Sequence, residues 1–220
     1  MMPISKNITA LKENLPNHVS LVAVSKTKPV EEILEAYDTG HRVFGENKIQ
    51  EMVHKWKTMP KDIQWHMIGH VQRNKVKYMA EFVTLIHGVD SLKLLKEINK
   101  QAIKHNRIIS CLLQIHIAEE NTKFGLDEKE LKELIISEEF NSMKNISIRG
   151  LMGMATFTQD QNQIRKEFRY LKSLFDQTKN TLLEIDTLSM GMSGDYQIAV
   201  EEGSTMIRIG SSIFGARNYQ

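Results

Sequence analysis

Apolar and polar positions along the 220-residue chain follow two alternating periods. Short continuous apolar runs such as Leu21-Val22-Ala23-Val24 predict buried strands, and stretches with apolar residues three or four apart predict amphipathic helices. Strands are expected at 20–25, 41–45, 63–68, 84–89, 109–117, 147–155, 187–192 and 205–209. Helices are expected at 4–15, 30–38, 46–58, 71–81, 91–105, 127–138, 160–180 and 195–202. Ser91 before the Leu92, Leu95, Ile98 stripe and Asp160 before Ile164, Phe168, Leu171 are helix-start signals, and Gly40 suits a helix C-terminal cap.

Strands alternating with helices imply an α/β protein with a parallel sheet, which a closed barrel and an open doubly wound sheet both satisfy. The count of eight favours the barrel. So does the recurrence of polar residues at strand C-terminal ends: Lys26, Glu46-Asn47, Gly69-His70, Asp90, Glu119-Asn121, Thr156, Ser193 and Ser211. A barrel gathers such ends around one mouth, whereas an open sheet uses only those beside its crossover. No linker, repeat or low-complexity segment interrupts the pattern. The expected architecture is a single (β/α)8 TIM barrel domain over 1–220 with an extra N-terminal helix.

Composition removes other classes. A formal charge of +2 gives no footing for a nucleic-acid partner. No apolar run reaches the roughly twenty residues of a membrane span, and Met1 to Pro16 lacks the apolar centre of a signal peptide. The single cysteine, Cys111, precludes an internal disulfide and reads as a small core residue in a cytoplasmic protein. The histidines His66, His70, His87 and His116 have no metal-ligand spacing and read as buried or mouth-lining.

Three features carry chemistry. Alternation along the first strand puts Val22, Val24 and Lys26 on one face. If that face is the barrel interior, Lys26 is an amine at the mouth of an apolar wall, with its pKa lowered and its nitrogen usable toward aldehydes. The last two strands each end in a glycine-containing hydroxyl turn, Met190-Gly191-Met192-Ser193-Gly194-Asp195 and Arg208-Ile209-Gly210-Ser211-Ser212. Such a pair can cradle a phosphate with backbone N–H groups and hydroxyls, although Ser-capped strand-to-helix turns would look the same. Alternation also places Arg208 with Met206 inside a buried strand, where it needs an acidic partner, an anion or a ring nitrogen. Lysine, cradle and arginine together match the requirements of pyridoxal 5′-phosphate. A barrel that binds another phosphorylated metabolite, with Lys26 as a plain anion ligand, also satisfies these residues.

Further motifs support a resemblance. Ala23-Val24-Ser25-Lys26-Thr27-Lys28-Pro29, Phe44-Gly45-Glu46-Asn47, Trp65-His66-Met67-Ile68-Gly69-His70-Val71-Gln72-Arg73-Asn74-Lys75 and Arg149-Gly150-Leu151-Met152 stand in order before the two C-terminal turns. Together, up to Ala216-Arg217, they resemble the pyridoxal phosphate homeostasis protein family, which is related to the N-terminal barrel of alanine racemase. The resemblance implies a Schiff base on Lys26, phosphate contacts from Ser193, Arg208, Gly210 and Ser211, and Asn47 near the cofactor. The segment Glu119 to Gly125 resembles the family's Lys-x-Gly loop, with Phe124 bulkier than usual, and Gly194 replaces another residue before Asp195. The family's implied role is to hold the cofactor and pass it to apo-enzymes, without an established reaction. Alanine racemase draws a catalytic tyrosine from a separate β domain, which is not expected here; racemisation needs proton transfer on both faces, so a monomeric carrier is expected in place of an enzyme. A weak amino-acid racemase or lyase is the alternative.

Overall fold

The computed structural model describes residues 3–120 and 124–215. Eight parallel strands close into a barrel in sequence order: β1 (Ser20–Val24), β2 (Val43–Glu46), β3 (Gln64–Met67), β4 (Leu85–Val89), β5 (Ile109–Gln114), β6 (Ile146–Met152), β7 (Thr187–Ser189) and β8 (Met206–Ile209). The closing ladder pairs Val22 with Arg208 and Ala23 with Ile209, so the first and last strands lie side by side. Helix α1 (Ile4–Asn14) precedes β1 and packs on α2 (Val30–Asp38). Around the sheet follow α3 (Ile49–Thr58), α4 (Leu92–Lys104), α5 (Glu128–Ile136), α6 (Glu138–Asn141), α7 (Gln161–Thr178), α8 (Tyr196–Glu201) and α9 (Ser211–Phe214).

Two apolar layers hold the barrel. The larger lies between sheet and helices and includes Leu21, Ala23, Phe44, Trp65, Met67, Cys111 and Leu113. The smaller fills the interior with Val22, Leu85, Leu112, Met152 and Met206, and Val43, Ile68 and Met154 pack against it. Val22 therefore faces inward, as the Lys26 reading requires, and in β3 it is His66 that faces the interior, since Trp65 and Met67 face the helices. Polar groups share the interior with this plug, and His66, His87, Gln114, Ser189 and Arg208 are all buried.

The helix starts behave as their chemistry dictates. Ser91 Oγ accepts from the Leu94 N–H, and the Asp160 side chain accepts from Asn162 and Gln163. The helix expected at 71–81 is instead a 3-10 segment at Arg73–Tyr78. The buried positions Val76 in it and Met79 and Ala80 just after it suit a three-residue turn as well as a 3.6-residue one, so periodicity did not separate the two. The expected strand at 41–45 lies at Val43–Glu46, because buried His41 turns its ring back onto the Val43 carbonyl, 2.8 Å away, before the ladder begins. Helices α6 and α9 had no counterpart in the pattern; at four residues each they leave no period to read. No helix among the described residues is long and apolar enough to cross a membrane.

Candidate functional site

The strand ends enclose a cavity of about 550 Å3 at the C-terminal mouth of the barrel. This is the face where such barrels place their chemistry, and the volume is that of a small-ligand site. Val24, Ile68 and Met154 supply apolar walls, while Lys26, Asn47, Ser193, Arg208, Gly210 and Ser211 all line the same space. The amine, the asparagine, the two turns and the arginine expected to hold a ligand thus line one cavity. A larger groove of about 950 Å3, between the 3-10 segment and α4, holds His70, Arg73, Asp90 and surface lysines. It combines neither a barrel-wall amine nor a buried guanidinium, and the mouth cavity is therefore the candidate site.

Lys26 follows β1 at the point where the chain leaves the wall. Lys28, two residues on, has its amine engaged by the Phe214 carbonyl at 2.7 Å and Glu32 at 3.1 Å. Asn47 is held from behind: a Cβ built on Gly69 would lie 2.4 Å from the Asn47 carbonyl oxygen, so the two backbones touch only because residue 69 is glycine. On the far side the two turns meet, with the Gly210 N–H donating to Ser193 Oγ at 3.3 Å. Met192 N–H donates to Asp195 Oδ1 at 2.6 Å, which closes the first turn ahead of α8. Gly191 at φ 99° allows that turn, and a Cβ there would also strike the Ala199 Cβ at 2.6 Å.

Arg208 rises from the interior. Its Nη1 donates to the Ser189 carbonyl at 2.9 Å and to Ser189 Oγ at 2.6 Å, and Nη2 donates to the Gly153 carbonyl at 3.1 Å. All three of these acceptors are neutral oxygens. Burial lowers its pKa to about 10, against which nearby Asp195 acts, so the guanidinium stays charged at neutral pH. Beneath it runs a polar chain that sequence reasoning missed: Ser189 Oγ lies 3.1 Å from His87 Nδ1, and His87 Nε2 lies 3.1 Å from His66 Nδ1. Burial drives His66 down to about 3 and His87 well below its ordinary value, so both rings are neutral and each carries one N–H. The signal was present in the period-two alternation, which puts Ser189, Arg208 and His66 on inward faces once Val22 is placed inside.

Other expectations resolve against the mouth. Glu46, grouped with Asn47 as a rim residue, points outward and is fully buried between β1, β2 and α3, because it shares the face of Phe44. His70 stacks on Phe124 with ring centroids 4.1 Å apart, and His116 Nε2 lies 3.0 Å from the Glu120 carbonyl. Among the described residues no group of three or more His, Cys, Asp or Glu side chains could hold a metal. Asn121 and Lys123 of the expected Lys-x-Gly loop, and Ala216-Arg217 of the last motif, lie outside the described residues.

Known proteins resemble this chain in sequence and fold. The family model described as alanine racemase, N-terminal domain, matches residues 3–218. The pyridoxal phosphate homeostasis protein of Vibrio alginolyticus is 42% identical over 209 residues, spanning 93% of this chain and 89% of that one. The protein of the same name from Aquifex aeolicus is 39% identical over 205 residues, with 92% and 89% covered. The chain belongs to the pyridoxal phosphate homeostasis protein family. PipY of Synechococcus elongatus has been solved without and with PLP bound; at 33% identity its structures superpose with TM-scores of 0.90 and 0.87, covering 96% of this chain and 100% of that one. The barrel of Clostridium difficile alanine racemase, at 14% identity and a TM-score of 0.78, shares the fold over 99% of this chain and 58% of that one.

Proposed function

We propose that this chain binds pyridoxal 5′-phosphate as a Schiff base on Lys26 and serves intracellular homeostasis of that cofactor as a carrier. The observation that carries the reading is the convergence of a strand-end amine, two N–H-bearing turns and a buried guanidinium on one cavity. The fit is chemical as well as spatial. Lys26 supplies the amine, the Ser211 backbone with the Ser193 and Ser211 hydroxyls supply donors for a phosphate that Gly210 lets approach, and Arg208 supplies a fixed positive charge beside the ring or the phosphate. Asn47 stands at the same wall. With the cofactor bound, the Lys26 amine would hold its aldehyde carbon through a C=N bond, with loss of water, and water or another amine would reverse the link, which is what delivery requires.

The residues also support a carrier over a catalyst. Arg208 is charged and already held by three neutral acceptors, so it offers a hydrogen bond to a ring nitrogen without offering a proton. His66 and His87, the buried imidazoles closest to it in the hydrogen-bonded chain, do not line the cavity. In this reading the whole of 1–220 acts as one domain and a monomer, in the reducing cytoplasm that one buried cysteine suits, with PLP-dependent apo-enzymes as recipients. The test is optical. Addition of pyridoxal 5′-phosphate to the purified chain is expected to produce a visible absorption band that is absent in Lys26→Ala and is lost on transfer to an apo-enzyme. A colourless wild-type protein, or brisk amino-acid racemisation, would overturn the proposal.

A further inference from the structure

The backbone on both sides of Lys26 is tied to one buried ion cluster that no cavity-lining residue belongs to. Ser25 and Glu46 lie on the helix-facing side of β1 and β2, and Lys55 of α3 reaches in between them while 4% exposed. The Lys55 ammonium donates to the Ser25 carbonyl at 2.8 Å, to Glu46 Oε1 at 2.8 Å and to Glu51 Oε1 at 2.7 Å, which uses all three of its protons. Ser25 Oγ donates to Glu46 Oε1 at 2.6 Å, and the Thr27 N–H donates to Glu51 Oε1 at 2.6 Å. One ammonium thus fixes the residue before Lys26 directly and the residue after it through Glu51. Thr27 itself is held at φ 64°, a left-handed conformation that a β-branched residue adopts only under constraint.

Such a cluster is an expensive way to hold a loop. Burying the Lys55 and Glu46 charges costs desolvation that apolar groups of the same size would not, and Glu46 Oε2 is buried with no hydrogen-bond partner among the described residues. An arrangement that carries such a desolvation cost marks a position where geometry matters to function. Lys26 is the residue between the two tethered ones, and neither Ser25, Thr27, Glu46, Glu51 nor Lys55 lines the cavity. We propose that the Ser25–Glu46–Lys55–Glu51–Thr27 cluster is a clamp that aims Lys26 into the cavity, with Lys55 and Glu51 as positioning residues for carbonyl capture. This rests on the reading of Lys26 as the cofactor-binding amine.

The test measures the rate at which pyridoxal 5′-phosphate is captured, by stopped-flow absorbance, and the visible circular dichroism of the bound chromophore, beside a thermal melt of the cofactor-free chain. Glu51→Ala deletes the oxygen that accepts from Thr27, in a side chain 23% exposed on a helix that alanine favours. Capture is expected to slow about tenfold and the dichroism to shrink, with little loss of melting temperature. Glu51→Gln keeps an oxygen in place and is expected to recover most of the rate. Lys55→Met is expected to lose more than Glu51→Ala; if it fails to melt cooperatively, the Glu51 pair decides. Wild-type-like capture and dichroism in Glu51→Ala would overturn the clamp, as would equal losses in Glu51→Ala and Glu51→Gln. Failure of the wild-type chain to take up the cofactor on Lys26 would overturn the reading beneath it, a separate result.

Discussion

Replacing Ser189 by alanine tests whether the interior polar chain holds Arg208. The Ser189 side chain is wholly buried, its Oγ accepts from Arg208 Nη1 at 2.6 Å and it contacts His87 Nδ1 at 3.1 Å. Deleting the hydroxyl removes one charge-assisted hydrogen bond, worth about 1.5–3 kcal/mol. It also strands a buried imidazole nitrogen, at a further cost of about 1–3 kcal/mol. The Ser189 carbonyl still receives Arg208 at 2.9 Å, so the low half of the sum applies and the loss is about 3 kcal/mol. For a chain of this size that is about 6–12 °C in Tm. Urea unfolding of the cofactor-free protein gives the free energy directly, with an unchanged m-value as the sign that only stability moved. Ser211→Ala, at the exposed rim, is the control and should stay within about 0.5 kcal/mol of wild type. If Ser189→Ala also stays within about 0.5 kcal/mol, the chain does not hold Arg208 and the reasoning fails.

Three further outcomes are expected. Gly69→Ala forces a Cβ to within 2.4 Å of the Asn47 carbonyl oxygen and should cost about 1–3 kcal/mol while weakening cofactor affinity, whereas Gly194→Ala, with open space around its Cβ, should melt within about 2 °C of wild type; equal melting of the two would contradict the packing argument. His41 at about 4, His66 at about 3 and His87 well below its ordinary value stay neutral in the native state while the unfolded chain protonates them, so stability present above pH 6.5 is lost as pH falls. Each histidine contributes about 2 kcal/mol of that loss by pH 5. Glu46, raised to about 6 by burial, acts in the opposite sense between its unfolded value and pH 6 and offsets about 2 kcal/mol at most. The net expectation is a urea midpoint markedly lower at pH 5 than at pH 7, and a flat profile would refute it. Burial also pushes the Cys111 thiol up, so a thiol reagent should leave the native chain unmodified and react in urea; rapid native labelling would contradict the buried placement.

What could be read from the chain and what could not have physical causes. Strand runs and strand-end polar residues are local signals, and they sufficed for the barrel and for Lys26, Asn47, Ser193, Arg208, Gly210 and Ser211 at its mouth. Arg208 was recognisable as a charge in a buried strand, but its actual acceptors on Ser189 and Gly153 come from other strands and have no local signature. His66 was visible as a buried histidine, yet its face depended on which side of β3 is inside, a question only the closed sheet answers. Lys55 was hidden most thoroughly. On an amphipathic helix where His54 and Lys57 also carry polar groups, nothing in the sequence says that this lysine turns inward to meet Glu46. The short helices α6 and α9 escaped because one turn carries no period.

The most direct measurement is mass spectrometry of the chain after loading with pyridoxal 5′-phosphate and reduction with borohydride. The account predicts a single pyridoxyl phosphate adduct on the peptide containing Lys26, none in Lys26→Ala, and a reduced yield when Ser193 and Ser211 are both changed to alanine. An adduct on Lys28 or on a lysine outside the mouth cavity, with Lys26 unmodified, would contradict it.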